Sequence, residues 1–230
     1  MDDLPPFTGF PPDAFAFYAQ LRDDDHNHRA WFGANRQRYE RAVRVPMEAL
    51  LARAATDGLG DGKVFRPNRD VRFSRDKRPY KTHCGAVIAF RDGSGRASRY
   101  LQLDAGGMMA ATGYWELSRD QLERFRRAVD DRAVGEELAT LVADARGGGL
   151  EVLGSELKRA PRGYSTEHPR IALLRHTRLA ASRSWPRTDW MHTAQAYDRV
   201  VAVWEAAAPL AGWLETHVGA ATEPRRTRGG

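Results

Sequence analysis

Between Arg66 and Gly85 the chain carries five arginines and two lysines against two aspartates, Asp70 and Asp76. Guanidinium groups present forked donors that match phosphate or carboxylate oxygens, and a lysine adds a mobile point charge. Arg69, Arg72 and Lys77, with Asp70, Ser74 and Tyr80 interleaved, therefore read as a pocket for a phosphorylated or otherwise anionic small ligand. The alternation of Val71 and Phe73 with Asp70, Arg72 and Ser74 predicts a half-buried strand with Arg72 on its polar face. On a regular strand Arg69 and Arg72 point to opposite faces, so a bulge or the nearby Pro67 must bring them together. Lys81 and His83 share a face of the next strand and are the acid–base candidates for an enzyme acting on such a ligand. A nucleic-acid-binding groove is the third use of the same charges.

Other residues offer other chemistries. Lys158 and Arg159, with Arg162, form a second basic loop that could fold against the first. Only four of the 36 basic residues are lysines, and three of those, Lys77, Lys81 and Lys158, lie in these two basic segments. His83 and Cys84 are adjacent and so face opposite ways on a strand, which excludes a nucleophile–base pair. His26 and His28 beside Asp23, Asp24 and Asp25 match no closed zinc spacing and read as a hydrophilic helix connection. No metal or cofactor is expected. The sequence contains no phosphate-binding loop, dinucleotide fingerprint or nucleophile elbow.

The elements that must hold these residues follow from periodicity. Ala14, Phe15, Tyr18 and Leu21 recur at helical spacing. Asn27 is the expected cap of a second helix carrying Trp31, Phe32 and Tyr39, which Pro46 should kink or restart. After the basic stretch come three short strands, Cys84–Phe90, Ser98–Asp104 and Met108–Thr112, with a hairpin loop at Arg91–Gly95. Ser118 and Gln121 form a capping box that opens a helix through Phe125 and Val129. A further helix covers Val134 to Val142, Leu179–Ser184 adds a strand, and Trp190 to Ala208 steps by threes and fours along a C-terminal helix that Pro209 interrupts. The fold expected is α+β: one antiparallel sheet, running from Val71 to Thr112, packed against the N-terminal and C-terminal helices.

With 42% hydrophobic and 29% charged residues, 230 residues suit one domain over positions 1–222, followed by a disordered basic tail at 223–230. The formal charge of +6 implies mild attraction to polyanions. A single cysteine excludes a disulfide framework. No apolar run has the length of a membrane span, so a cytoplasmic protein with no membrane partner is expected.

Several motifs are also familiar. Trp31-Phe32 with Asn35 and Tyr39-Glu40, the run Asn68-Arg69-Asp70-Val71-Arg72-Phe73-Ser74, and then Asp76-Lys77, Pro79-Tyr80-Lys81-Thr82-His83 and Gly85 are the first of them. Leu157-Lys158-Arg159-Ala160-Pro161-Arg162-Gly163-Tyr164 and His168-Pro169 follow. Together they resemble the bacterial and fungal family known as domain of unknown function 2461, from Phe7 to about Leu214. The resemblance implies one α+β domain and supplies no catalytic residue. Cys84 stands where that family usually has an apolar or aromatic residue, and Ala110–Thr112 where a more glycine-rich run is the rule.

Overall fold

The computed structural model describes residues 4–89, 97–154 and 157–222. The expected hairpin loop at Arg91–Gly95 and the basic tail at 223–230 lie outside the described residues. Helices α1 (Pro12–Leu21), α2 (Arg29–Ala34), α3 (Arg36–Tyr39) and α4 (Val45–Thr56) come first, with a π-helical turn, Glu40–Arg44, between α3 and α4. Strands β1 (Gly62–Val64), β2 (His83–Ala89), β3 (Ser98–Asp104) and β4 (Gly107–Tyr114) follow. Then come α5 (Arg119–Asp130), α6 (Arg132–Gly147), β5 (Glu151–Leu153), α7 (Ile171–Leu174) and β6 (Leu179–Pro186). Helices α8 (Gln195–Ala206) and α9 (Ala208–His217) close the fold.

The strands form one antiparallel sheet in the order β1-β2-β3-β4-β6-β5, so the chain is an α+β domain. Register puts Cys84, Ala86, Leu101, Leu103, Met108, Ala110 and Ala181 on one face. All are buried, in a core shared with α1, α4 and α8. A second apolar cluster joins α5, α6 and α9 to Tyr114 and Leu179 at the strand ends. The opposite face carries His83, Gly85, Tyr100, Gln102 and Asp104, and apart from Gly85 these are only half-buried. One-sided burial of this kind fixes register, because a one-residue slip would turn the polar set inward.

Three local expectations are met in detail. The capping box at Ser118 and Gln121 opens α5. Pro46 falls in the first turn of α4 and has no N–H for the Ala42 carbonyl. Immediately before it, the Val45 N–H reaches back to the Glu40 carbonyl, the wider spacing of a π turn. Pro209 separates α8 from α9.

Two expectations are corrected. Val71–Phe73 is not a strand, and the sheet begins at Gly62 instead. The Asp70 carboxylate accepts the Arg72 N–H, Asp76 accepts the Arg78 N–H, and Ser74 N–H turns back to the Val71 carbonyl. Aspartates bonding the backbone two residues on make turns that outcompete a three-residue alternation. Phe73, expected on the core side, is 83% exposed. Asn27 does not cap α2 either; the His28 side chain accepts the Trp31 N–H in that role.

Candidate ligand-binding site

The basic stretch is a loop closed at its neck. Arg69 N–H donates to the Pro79 carbonyl and Lys81 N–H to the Pro67 carbonyl, each at 2.8 Å, around an antiparallel bridge between Asn68 and Tyr80. The neck is anchored from below. Buried Asn27 accepts the Tyr80 N–H at 3.0 Å and donates to the carbonyls of Tyr80 and Leu21 at 3.1 and 3.0 Å. The Tyr80 ring is buried and stacks on Phe32 with centroids 4.0 Å apart. Such stacking contributes about 0.5–1.5 kcal/mol beyond the area buried.

Inside the loop both aspartates are taken up by arginines. Asp76 takes a 2.5 Å ion pair from Arg69 and a forked pair from Arg78, which also reaches Asp24 at 3.4 Å. These donors, Arg78 first, hold the Asp76 carboxyl far below the usual range. Arg72 forks onto Asp70 and draws its pKa down to about 2. Lys77 donates to the carbonyls of Val71 and Arg72, which ties the loop tip. Ser74 is half-buried within the turn its own N–H closes. Of the sequence-predicted ligand-binding residues, Arg69, Asp70, Arg72, Lys77 and Tyr80 are thus engaged within the loop or the core.

Lys158 and Arg159 sit elsewhere. Their loop is attached by Leu157 N–H to the Arg175 carbonyl, and by the Tyr164 ring against His168, which pairs with Asp130 at the end of α5. Both side chains are exposed, and the contacts that hold the loop run to α5 and α7 rather than to the 66–81 segment.

What remains is a cleft at the β1 edge of the sheet, about 480 Å³ in volume. It is lined by Tyr39 and Arg44 from the helical side, Lys63 and Val64 from β1, then Phe65, Arg66, Pro67 and Lys81. Phe65 N–H bonds the Gly85 carbonyl at 2.8 Å and prolongs the β1–β2 pairing. Gly85 leaves room for the Tyr100 and Phe65 side chains, since a Cβ would lie 2.8 Å from the Tyr100 hydroxyl and 3.2 Å from the Phe65 ring. The Lys81 ammonium stands 5.5 Å from the Phe65 centroid and donates to the Arg66 carbonyl at 3.0 Å. Burial, and then the Arg66 charge, lower the Lys81 pKa. Arg44 bonds Glu48 at 2.8 Å and lies 3.6 Å from Glu40. Among the described residues no carboxylate pairs with Lys63, Arg66 or Lys81.

His83 lies on the half-buried face opposite Asp104, and its imidazole is held toward the neutral form by burial first and by Lys81 second. Asp104 is occupied by Gly106 N–H at 2.6 Å, Gln102 at 3.3 Å and Arg22 at 3.3 Å. Cys84 points the other way, where burial pushes its thiol up to about 12. In the helix connection, the His26 ring packs on Trp31 and Asn27 is the structural clamp. Among the described residues no cluster of three or more His, Cys, Asp or Glu side chains could hold a metal ion.

Sequence reasoning found Lys81 and overlooked Lys63, Tyr39, Arg44 and Phe65. The usable signal was the alternation Lys63, Phe65 beside Gly85, which places both side chains on the open face. No curated protein and no solved structure matches the chain. The family described as conserved hypothetical protein, DUF2461, matches residues 13–213, and the chain belongs to that family.

Proposed function

We propose that this protein is a cytoplasmic module that binds a phosphorylated or otherwise anionic small ligand in the β1-edge cleft. One observation carries the reading: Lys63, Arg66 and Lys81 converge on a single cavity while no described carboxylate neutralises them. Holding three like charges together disfavours the empty state electrostatically, and an anion removes that cost. The cavity has the size usual for small-molecule sites, and Tyr39 and Phe65 give it aromatic walls. The one cysteine, Cys84, is free and buried, so no disulfide calls for an oxidising compartment. Among the described residues no helix is long and apolar enough to cross a membrane.

The test is calorimetry and thermal shift with phosphate, pyrophosphate, sugar phosphates, nucleotides and short oligonucleotides at two salt concentrations. Saturable stabilisation by a small anion, lost in Lys81→Ala and Arg66→Ala, is the expected result. Stabilisation by oligonucleotides alone, erased by salt, would replace this reading with a nucleic-acid interface.

An enzymatic reading has one observation in its favour. Burial lowers the pKa of both Lys81 and His83, and the Lys81 charge lowers that of His83 further, the kind of perturbation found at acid–base sites. It predicts turnover of a bound phosphorylated compound that is lost in His83→Gln while binding is kept. Unchanged turnover in that variant would remove His83 from the chemistry.

A further inference from the structure

The cationic cleft does not end at Arg44. A second cavity of about 780 Å³ shares Arg44, Lys63 and Val64 with it and runs on along α4 and the outer edge of β1. The character of the lining changes there. Leu4, Leu51, Ala52 and Ala55 supply apolar wall in place of Arg66 and Lys81. Gly62 lets the wall close up, since a Cβ at that position would meet the Leu51 side chain at 2.8 Å. Of the carboxylates in this lobe, Glu48 is already bonded to Arg44. Asp61 leaves a negative charge that disfavours a second anionic group on the same ligand.

We propose that the ligand is an amphiphile with one anionic head, held by Lys63, Arg66 and Lys81, and one alkyl or aryl tail lying in the apolar lobe. This rests on the anion-binding reading above and narrows its ligand class. A head group alone would leave the apolar lobe to water, whereas a tail displaces that water and gains roughly fourfold in affinity per fully buried methylene. The shared residues set the order of the two ends: Arg44 and Lys63 stand at the junction, so the charge sits on the Lys81 side and the chain passes along α4.

The experiment is a titration series by calorimetry on the full chain, below micellar concentrations, with methyl, butyl and octyl phosphate and with neutral octanol. The expected result is an affinity gain of at least about tenfold from butyl to octyl phosphate. Lys81→Ala should weaken every phosphate in the series. Ala55→Glu, and independently Ala52→Glu, should abolish the gain with chain length, over and above any uniform weakening of all the phosphates by the added charge. Equal affinity across the series overturns the tail and leaves the anion reading standing. A gain that persists in both glutamate variants overturns the placement of the tail along α4. Octanol binding as tightly as octyl phosphate overturns the anionic head, and no binding by any member overturns both proposals.

Discussion

Two groups of cations drawn from one stretch of chain behave in opposite ways. In the loop from Arg69 to Arg78, every arginine with a described partner is folded back on Asp70 or Asp76, two or seven residues away. At the neck, Arg66 and Lys81 are brought beside Lys63 by strand pairing and have no such partner among the described residues. The first group is denser in charge and the second more open to a ligand. Charge density along a chain therefore says little about binding until the counter-charges are located: short-range pairs consume the donors that a ligand would need. The neck escapes because Pro67, Pro79 and the Asn27 clamp hold it extended, so its side chains cannot curl onto their neighbours.

The most damaging change to this contrast is Asn27→Ala. It would leave the Tyr80 N–H and the Tyr80 and Leu21 carbonyls without their buried partner, at a cost of about 3 kcal/mol. Chemical denaturation should show that loss, and anion binding should weaken with it because the neck sets the cleft. A loss well under 1 kcal/mol would mean that the neck holds itself.

Lys81→Ala should weaken anion binding by at least about tenfold, near 1.4 kcal/mol, with little change in melting temperature. Arg72→Ala in the same titration should bind as the parent does, and equal losses in the two variants would dissolve the distinction.

Asp76→Asn should raise the net charge of the 69–78 loop from +3 to +4 and release Arg69 and Arg78. Retention on a heparin column should increase, and unchanged retention would show that the arginines are held by something other than charge. The carboxyl of Asp76 is depressed in the folded state. Its contribution to loop order is thus present above the unfolded value near pH 4 and is lost as the pH falls toward the folded one. Limited pepsin cleavage at exposed Phe73, corrected for pepsin's own pH dependence on an unstructured peptide, should accelerate as the pH falls through that window.

The smallest expected effect is one of pH. Anion binding requires protonated Lys81, whose pKa lies below the ordinary lysine value of about 10.4. Affinity should therefore decline as pH rises through this lowered value, earlier than for an ordinary lysine. Lys81→Arg should flatten the profile, and an unaltered decline in that variant would assign the titration to another group.

Much of the fold could be read directly. β3 was bounded at Ser98 and Asp104 by alternation, the capping box fixed the start of α5, and proline placed the breaks at α4 and α9. The family motifs pointed to one α+β domain, and the family match covers the same ground. The loop was misread because Val71 and Phe73 alternate over too short a span. Nothing local distinguishes a strand from a turn whose aspartates bond their own backbone. The cleft was half legible. Lys81 stood out by its type and setting, whereas Lys63 and Arg44 join it only through pairing of β1 with β2 and the run of α3 into α4. Those are contacts between residues distant in sequence, and no spacing rule encodes them.

The π-helical turn at Glu40–Arg44 has a consequence for how this fold tolerates change. A π turn accommodates one residue more than the α-helical ladder would, and an α-helix advances about 100° and 1.5 Å per residue. Deleting a single residue from that turn would let α3 and α4 run on as one regular helix with both flanks in nearly their present phase, because the π turn holds its extra residue within a single turn. A deletion within α4 itself would instead turn Tyr39 and Arg44 together by about 100° relative to the sheet edge and take them off the cleft. The segment acts as a vernier between the N-terminal helices and the sheet edge, and a one-residue deletion should be far better tolerated there than within α4.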